Sequence, residues 1–312
     1  MSKKQNESNS KSNLSKKKLL VTLGTSLLSV SSACVGLSLY VGLNLTRKKR
    51  RPIEDNPENH KLTYKDIEFK SLDGETNIKG WLLPTKEEPK LNIIMAHGYG
   101  GNRHNAGFIH LSKRLVPLGY QTLMFDFRNS GESEGKVTTI GAREKYDLLG
   151  AIEWIKTQND KPIVLHGVSM GAATSILAAG MSQDVAGVIA DSPYSDLKDY
   201  LKENLPVWTK LPAFPFTPLI MNTIPKIANI DVKEASPIQS LEAIYPRPVL
   251  FIHGNGDTKI PYTESEKMAA LHPDAFEIWI PEGTDHVKGF LDYPKEYVKR
   301  ITEFLMKFEG NK

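Results

Sequence analysis

A serine flanked by glycines, Gly167-Val168-Ser169-Met170-Gly171, stands between the apolar run Pro162-Ile163-Val164-Leu165 and a run of small residues from Ala172 to Ala179. A buried strand turning sharply into a closely packed helix would expose the Ser169 hydroxyl on a strained turn. A hydroxyl is a poor nucleophile at its free pKa, so such a serine needs a base within hydrogen-bond reach and donors for the oxyanion it creates. The pattern alone is weak, because a serine among small residues also caps helices. Its strand and helix flanks make Ser169 a candidate nucleophile.

Partners of the right type follow in chain order. Arg247-Pro248-Val249-Leu250-Phe251-Ile252-His253-Gly254 is an apolar run ending in a turn-rich loop that carries Asp257. Phe276-Glu277-Ile278-Trp279-Ile280 alternates like a last strand and gives way to Pro281-Glu282-Gly283-Thr284-Asp285-His286. His286 is the candidate base that takes the Ser169 proton and returns it to the leaving group. Asp257 is the candidate acid that fixes the imidazole tautomer and stabilises the imidazolium. Asp285 and Asp191 are rivals for that role. Asp285 adjoins His286, where neighbouring side chains diverge, and Asp191 follows the serine too soon. Upstream, Leu91-Asn92-Ile93-Ile94-Met95-Ala96 ends in the glycine-rich His97-Gly98-Tyr99-Gly100-Gly101. The backbone N–H groups of Tyr99 and Met170 are the expected oxyanion donors, the second favoured by a helix N-terminus. His97 is expected to be structural.

From about residue 60 onward, the chain resembles the α/β-hydrolase superfamily. The resemblance rests on ordered landmarks: His97 to Gly101, Asp126-Phe127-Arg128-Asn129-Ser130-Gly131-Glu132-Ser133, Gly167 to Gly171, Gly254-Asn255-Gly256-Asp257 and Asp285-His286. Within the superfamily the chain looks most like small single-domain serine esterases and thioesterases, some membrane-anchored, whose relatives include prolyl-oligopeptidase-type peptidases. That resemblance implies hydrolysis without naming a substrate. It also implies that Asp126 to Ser133 is a supporting loop beside the site.

Positioning these residues calls for an α/β fold, a doubly wound and mostly parallel sheet. Asp66 to Ser71 and Thr76 to Leu83 flank Asp73-Gly74 and read as a hairpin. Strands are expected near 91–96, 120–126, 162–166, 186–190, 248–253 and 276–280, alternating with helices such as Ala142 to Thr157. All the candidate residues then lie at carboxyl ends of strands, where such sheets bind ligands. The rhythm lapses between Asp191 and Ala243 in a proline-rich apolar segment. Residues about 192–243 are expected to form a cap over the site, with completion of the core as the alternative.

Leu19 to Thr46 contains no charged residue, and Lys16-Lys17-Lys18 and Arg47-Lys48-Lys49-Arg50-Arg51 bracket it. A spanning helix needs about 20 apolar residues, so 19–46 is expected to be a single transmembrane anchor in the bilayer. It would follow a polar basic tail (1–18) and precede a basic linker (47–59) and the hydrolase domain (60–312). A cleaved signal peptide is the rival, since Ser31-Ser32-Ala33 suits cleavage, although Val35 to Leu45 stays apolar beyond it. Basic residues on both flanks leave the orientation rule undecided; a signal-anchor arrangement would put the catalytic domain outside the cytoplasm at the cell membrane.

Beyond residue 51, 29 basic groups face 35 acidic ones, so the net basicity of the whole chain comes from the anchor region. The domain has no basic footprint for nucleic acid. One cysteine, Cys34, lies inside the proposed span and removes disulfides from the soluble part. No metal-ligand spacing and no nucleotide loop occur, and no cofactor is expected. The expected activity is cleavage of carboxylic esters or thioesters of an acylated or small-molecule substrate through an acyl-enzyme on Ser169. The alternatives are a small-peptide serine peptidase and a non-catalytic, membrane-tethered scaffold.

Overall fold

The computed structural model describes residues 2–104 and 106–310. Met1 of the expected tail, and Asn105, Asn311 and Lys312 of the expected domain, lie outside the described residues. The first element is a long helix, α1 (Ser2–Thr46). Its Leu20–Thr46 stretch is long and apolar enough to cross a bilayer; at 1.5 Å per residue it extends about 40 Å, against about 30 Å of hydrocarbon. Leu20, Val21, Leu23, Leu28, Val30 and Val35 stand exposed along it, with no protein surface to bury them.

The hairpin β1 (Lys65–Lys70) and β2 (Asn77–Leu83) follows, paired antiparallel with Phe69 opposite Ile78. Then come β3 (Leu91–Ala96), α2 (Ala106–Leu115), β4 (Tyr120–Phe125), α3 (Glu144–Lys156), β5 (Ile163–Val168), α4 (Met170–Met181) and β6 (Val185–Asp191). After helices α5 (Leu197–Thr209), α6 (Ala213–Ala228) and α7 (Pro237–Ile244) the rhythm resumes with β7 (Val249–Ile252), α8 (Thr263–Ala269), β8 (Phe276–Trp279), α9 (Gly289–Asp292) and α10 (Pro294–Met306). The sheet runs β1-β2-β4-β3-β5-β6-β7-β8, parallel from β4 to β8. β3, β4 and β5 are buried at every position, which explains their predominantly apolar sequences; both faces are covered.

Helices cover one face through Leu148, Ile152, Ile176, Leu241 and Met268, and the other through Phe108, Leu111, Ile301, Phe304 and Leu305. From β3 the chain winds outward to β4, then crosses back to β5 on the other side. Strand order reverses there, opening a crevice at the carboxyl ends of β3 and β5. The proline-rich segment forms α5 and α6, with Pro206, Pro218 and Pro225 inside them. A separate apolar cluster joins Leu201, Leu205, Ile220 and Ile224 of these helices to Ala173 and Leu177 of α4, with Val41 and Leu45 of α1 packed against it.

Candidate active site

Ser169 sits between β5 and α4 with φ 54° and ψ −120°, a conformation costly for a residue with a Cβ. Its N–H donates to the Asp191 carbonyl (2.7 Å) and its carbonyl accepts from Ala172 and Ala173 (3.0 and 3.1 Å), so strand β6 and the first turn of α4 hold the strain. The two flanking glycines do not supply the turn's unusual φ; they supply room. A Cβ on Gly171 would lie 2.0 Å from the Ala96 carbonyl oxygen, and one on Gly167 would lie 2.2 Å from that of Gly171.

Ser169 Oγ lies 2.9 Å from His286 Nε2, and His286 Nδ1 lies 2.6 Å from Asp257 Oδ2. Asp257 Oδ1 accepts from the backbone N–H groups of Lys259 (2.8 Å) and Ile260 (2.9 Å). Its side chain is fully shielded from solvent, and that of His286 is 10% exposed. Burial pushes the Asp257 carboxyl up, but hydrogen bonds from His253 and His286 outweigh it and hold the group below the usual carboxylate range.

His253, which the sequence reading passed over, completes this arrangement. It is fully buried at the end of β7. Its Nε2 lies 3.1 Å from Asp257 Oδ2 and 3.0 Å from the Ile260 carbonyl, and Nδ1 lies 2.7 Å from Ser265 Oγ. A carbonyl only accepts, so the ring proton belongs on Nε2 and Ser265 donates to Nδ1. Its only sequence signal was a histidine at a strand end, four residues before the carboxylate.

The rival carboxylates have other partners. Asp191 accepts from Tyr297 (2.9 Å) and Ser192 (3.0 Å); burial outweighs those two hydrogen bonds and raises its carboxyl above the usual range. Tyr297 in turn meets His166 Nε2 at 3.1 Å. Burial drives His166 down to about 3, keeping it neutral. Asp285 Oδ1 accepts from the N–H and hydroxyl of Thr258 (3.1 and 3.0 Å), tying the His286 loop to the Asp257 loop.

Gly98 packs against Ser169, 3.4 Å from its Cβ by the position a Cβ would take. His97 shapes this turn: Nδ1 donates to the Gly98 carbonyl (2.8 Å) and Nε2 accepts from Phe127 N–H (3.1 Å), and burial lowers its pKa in keeping with a neutral ring. The Tyr99 and Met170 N–H groups make no hydrogen bond among the described residues. In the loop after β4, Asp126 accepts from the Arg103 N–H (2.6 Å) and guanidinium (2.7 Å), while Arg128 pairs with Asp147 and Asp73, both at 2.8 Å. Their charges are spent on holding the loop.

Ser169 and His286 open into a cavity of about 840 Å³. Tyr194 and, from α5, Tyr200 and Trp208 wall one side of it, with Ile140, Ile260 and Val287 adding apolar surface. Asn44, Leu45, Arg47, Lys48, Lys49 and Arg51 form another wall, from the end of α1 and the segment after it. No group of three or more His, Cys, Asp or Glu that could hold a metal occurs among the described residues.

Residues 87–242 match the sequence family described as serine aminopeptidase, S33. YqkD, an uncharacterized protein of Bacillus subtilis, is 31% identical over 234 residues, covering 73% of this chain and 75% of that protein. The lysophosphatidylserine lipase ABHD12 of Xenopus tropicalis is 25% identical over 270 residues, 80% of this chain and 64% of its own. The solved esterase Pf2001 of Pyrococcus furiosus superposes with a TM-score of 0.69 at 26% identity, covering 84% of this chain and 99% of that one.

Proposed function

Because the chain belongs to the serine aminopeptidase S33 family of α/β hydrolases, we propose that it hydrolyses carboxylic esters, thioesters included, through an acyl-enzyme on Ser169. The observation that carries this is the continuous contact from Ser169 Oγ through His286 to Asp257, at 2.9 and 2.6 Å. Ser169 attacks the acyl carbonyl as His286 Nε2 takes its proton. The N–H groups of Tyr99 and Met170 receive the oxyanion. His286 then protonates the departing alkoxide or thiolate, leaving the acyl group on Ser169. Water, deprotonated by the same nitrogen, attacks the acyl-enzyme and releases a carboxylic acid and free Ser169. Asp257 stays ionised throughout, orienting Nδ1–H.

Ester cleavage is favoured over removal of an N-terminal amino acid by the charge around the serine. An aminopeptidase must hold the substrate's α-ammonium, yet the residues lining this cavity include five cations and no carboxylate. Aromatic and aliphatic side chains of the cap suit an acyl chain, and relatives named as an esterase and a lipase fit the same chemistry. We further propose that 19–46 is a single-pass anchor, with the domain beginning near residue 60 at the membrane surface and 192–243 acting as the cap. A fluorophosphonate probe tests the nucleophile on the full chain in detergent, because Asn44, Leu45, Arg47, Lys48, Lys49 and Arg51 line the cavity. Labelling at Ser169, located by peptide mass spectrometry and absent from Ser169→Ala, is the expected result. A folded wild-type chain that takes no label would overturn the mechanism and favour the non-catalytic scaffold; turnover of peptides but not esters would favour the peptidase.

A further inference from the structure

Five cations, Arg47, Lys48, Lys49, Arg51 and Lys259, line the cavity that holds Ser169. None has a carboxylate partner within 4.0 Å among the described residues. Four of them come from the segment that follows the apolar helix, and that segment is built into the site. Tyr99 donates to the Leu45 carbonyl (2.6 Å), Thr138 N–H to that of Thr46 (2.7 Å), and Asn102 to those of Arg51 and Pro52 (3.2 and 3.1 Å). Lys48 Nζ stands 4.6 Å from the centre of the Tyr99 ring, and its side chain lies against Gly100 in the turn beside Ser169. The fifth cation arrives from elsewhere: Lys259 lies two residues after Asp257.

Basic residues flanking a bilayer helix ordinarily meet lipid headgroups. That role does not require Lys48 on the Tyr99 ring, nor a lysine from the Asp257 loop in the same cavity. Burial lowers the Lys48 pKa, and repulsion from Arg51 and Lys259 adds to it, so like charges crowd together here with no anion of the protein between them. Such a cluster is repulsive by itself and is relieved by a bound anion.

Resting on the hydrolase assignment above, we propose that the juxtamembrane segment and Lys259 form an anion-recognition wall of the active site, and that the substrate is an amphiphilic acyl ester with an anionic group on its alcohol portion. The acyl chain lies toward the cap aromatics and the anionic group toward Lys48 and Lys259, with the scissile carbonyl over Ser169. Specificity is thus set partly by residues outside the hydrolase domain proper.

The test uses the full chain in nanodiscs of phosphatidylcholine alone and compares monolauroylglycerol with monolauroylglycerol phosphate. Wild type and the double variant Lys48→Gln/Lys259→Gln are assayed, with Ser169 labelling counting active sites. The expected wild-type preference for the phosphorylated ester is about tenfold or more in kcat/KM, arising in KM. That ratio should fall by about tenfold in the variant, as loss of charge-assisted contacts implies. Equal rates on the two esters in wild type, or a ratio unchanged in the variant, would overturn the proposal. So would rates on both esters that rise together when phosphatidylglycerol is added and lose that response in the variant, which would assign the cluster to bilayer headgroups. Turnover of the neutral ester without preference leaves the hydrolase mechanism standing and removes only this inference; absence of both turnover and label removes both.

Discussion

Replacing Asp257 by asparagine puts the proposed relay to its sharpest test, because the structure dictates how the amide must sit. Oδ1 accepts two backbone N–H groups, from Lys259 and Ile260, and Oδ2 faces His286 Nδ1 and His253 Nε2. Backbone donors cannot reverse, so the asparagine carbonyl stays on them and its NH₂ faces the two imidazoles. His286 must then accept at Nδ1, which moves its proton to Nε2. That proton points at Ser169 Oγ, 2.9 Å away, and the ring can no longer act as a base. The variant also loses the carboxylate that stabilises the imidazolium. For unit charges about 4 Å apart at an effective dielectric near 20 the interaction is about 4 kcal/mol, or about three decades in rate. With the wrong tautomer added, kcat for ester hydrolysis should fall by about a thousand- to ten-thousand-fold while KM stays within a few-fold. The assay is steady-state hydrolysis by the full chain in detergent, with near-ultraviolet circular dichroism as the check on folding. A folded Asp257→Asn enzyme that keeps more than about a tenth of wild-type kcat would refute the assignment. Asp285→Asn is the companion, expected within about threefold of wild type because its carboxylate serves Thr258; its collapse instead would transfer the acid role to Asp285.

Two further outcomes follow from the fold. His166 is held neutral, with its pKa depressed to about 3 by burial, against about 6.5 when unfolded. Between those values the unfolded chain binds more protons, so stability is present above about pH 6.5 and is lost as the pH falls, at up to about 1.4 kcal/mol per unit from this group. Denaturant unfolding should therefore show a shallower acid loss in His166→Asn than in wild type between pH 6.5 and 4.5, and equal slopes would sink that account. For the anchor, the full chain should stay with the membrane through alkaline carbonate washing, with an N-terminus upstream of Ala33 by intact mass. A soluble product beginning at Cys34 would establish cleavage instead. Protease added to sealed cells should digest the domain if it lies outside the cytoplasm.

Local chemistry made much of this protein legible in one dimension. A strand buried on both faces is mostly apolar along its whole length, so β3, β4 and β5 announced themselves, as did the hairpin at Asp73-Gly74. The helix Leu20–Thr46 was visible because an uncharged stretch of that length has few other uses. The glycines around Ser169 could be singled out in the sequence, but not what they make room for: their small size admits the Ala96 and Gly171 carbonyls, while Ser169 itself adopts the positive φ. That distinction depends on which backbone passes nearby, and β3 is some 75 residues away in the chain.

Whatever required two distant segments to meet was decided only by the tertiary structure. The carboxylates at 257, 285 and 191 look equivalent as letters; register and loop geometry give Thr258 to Asp285, Tyr297 to Asp191 and His286 to Asp257. His253 acquires its place only because β7 ends beneath the same carboxylate. The basic run after the apolar helix reads in sequence as a headgroup anchor and nothing more. Packing of Leu45, Thr46, Arg51 and Pro52 onto the Tyr99, Asn102 and Thr138 loops is what places Arg47, Lys48, Lys49 and Arg51 along the cavity that holds Ser169. Periodicity and side-chain size act over a few residues and are written along the chain; the direction in which a charge points depends on closing loops across it, and that is a property of the folded molecule alone.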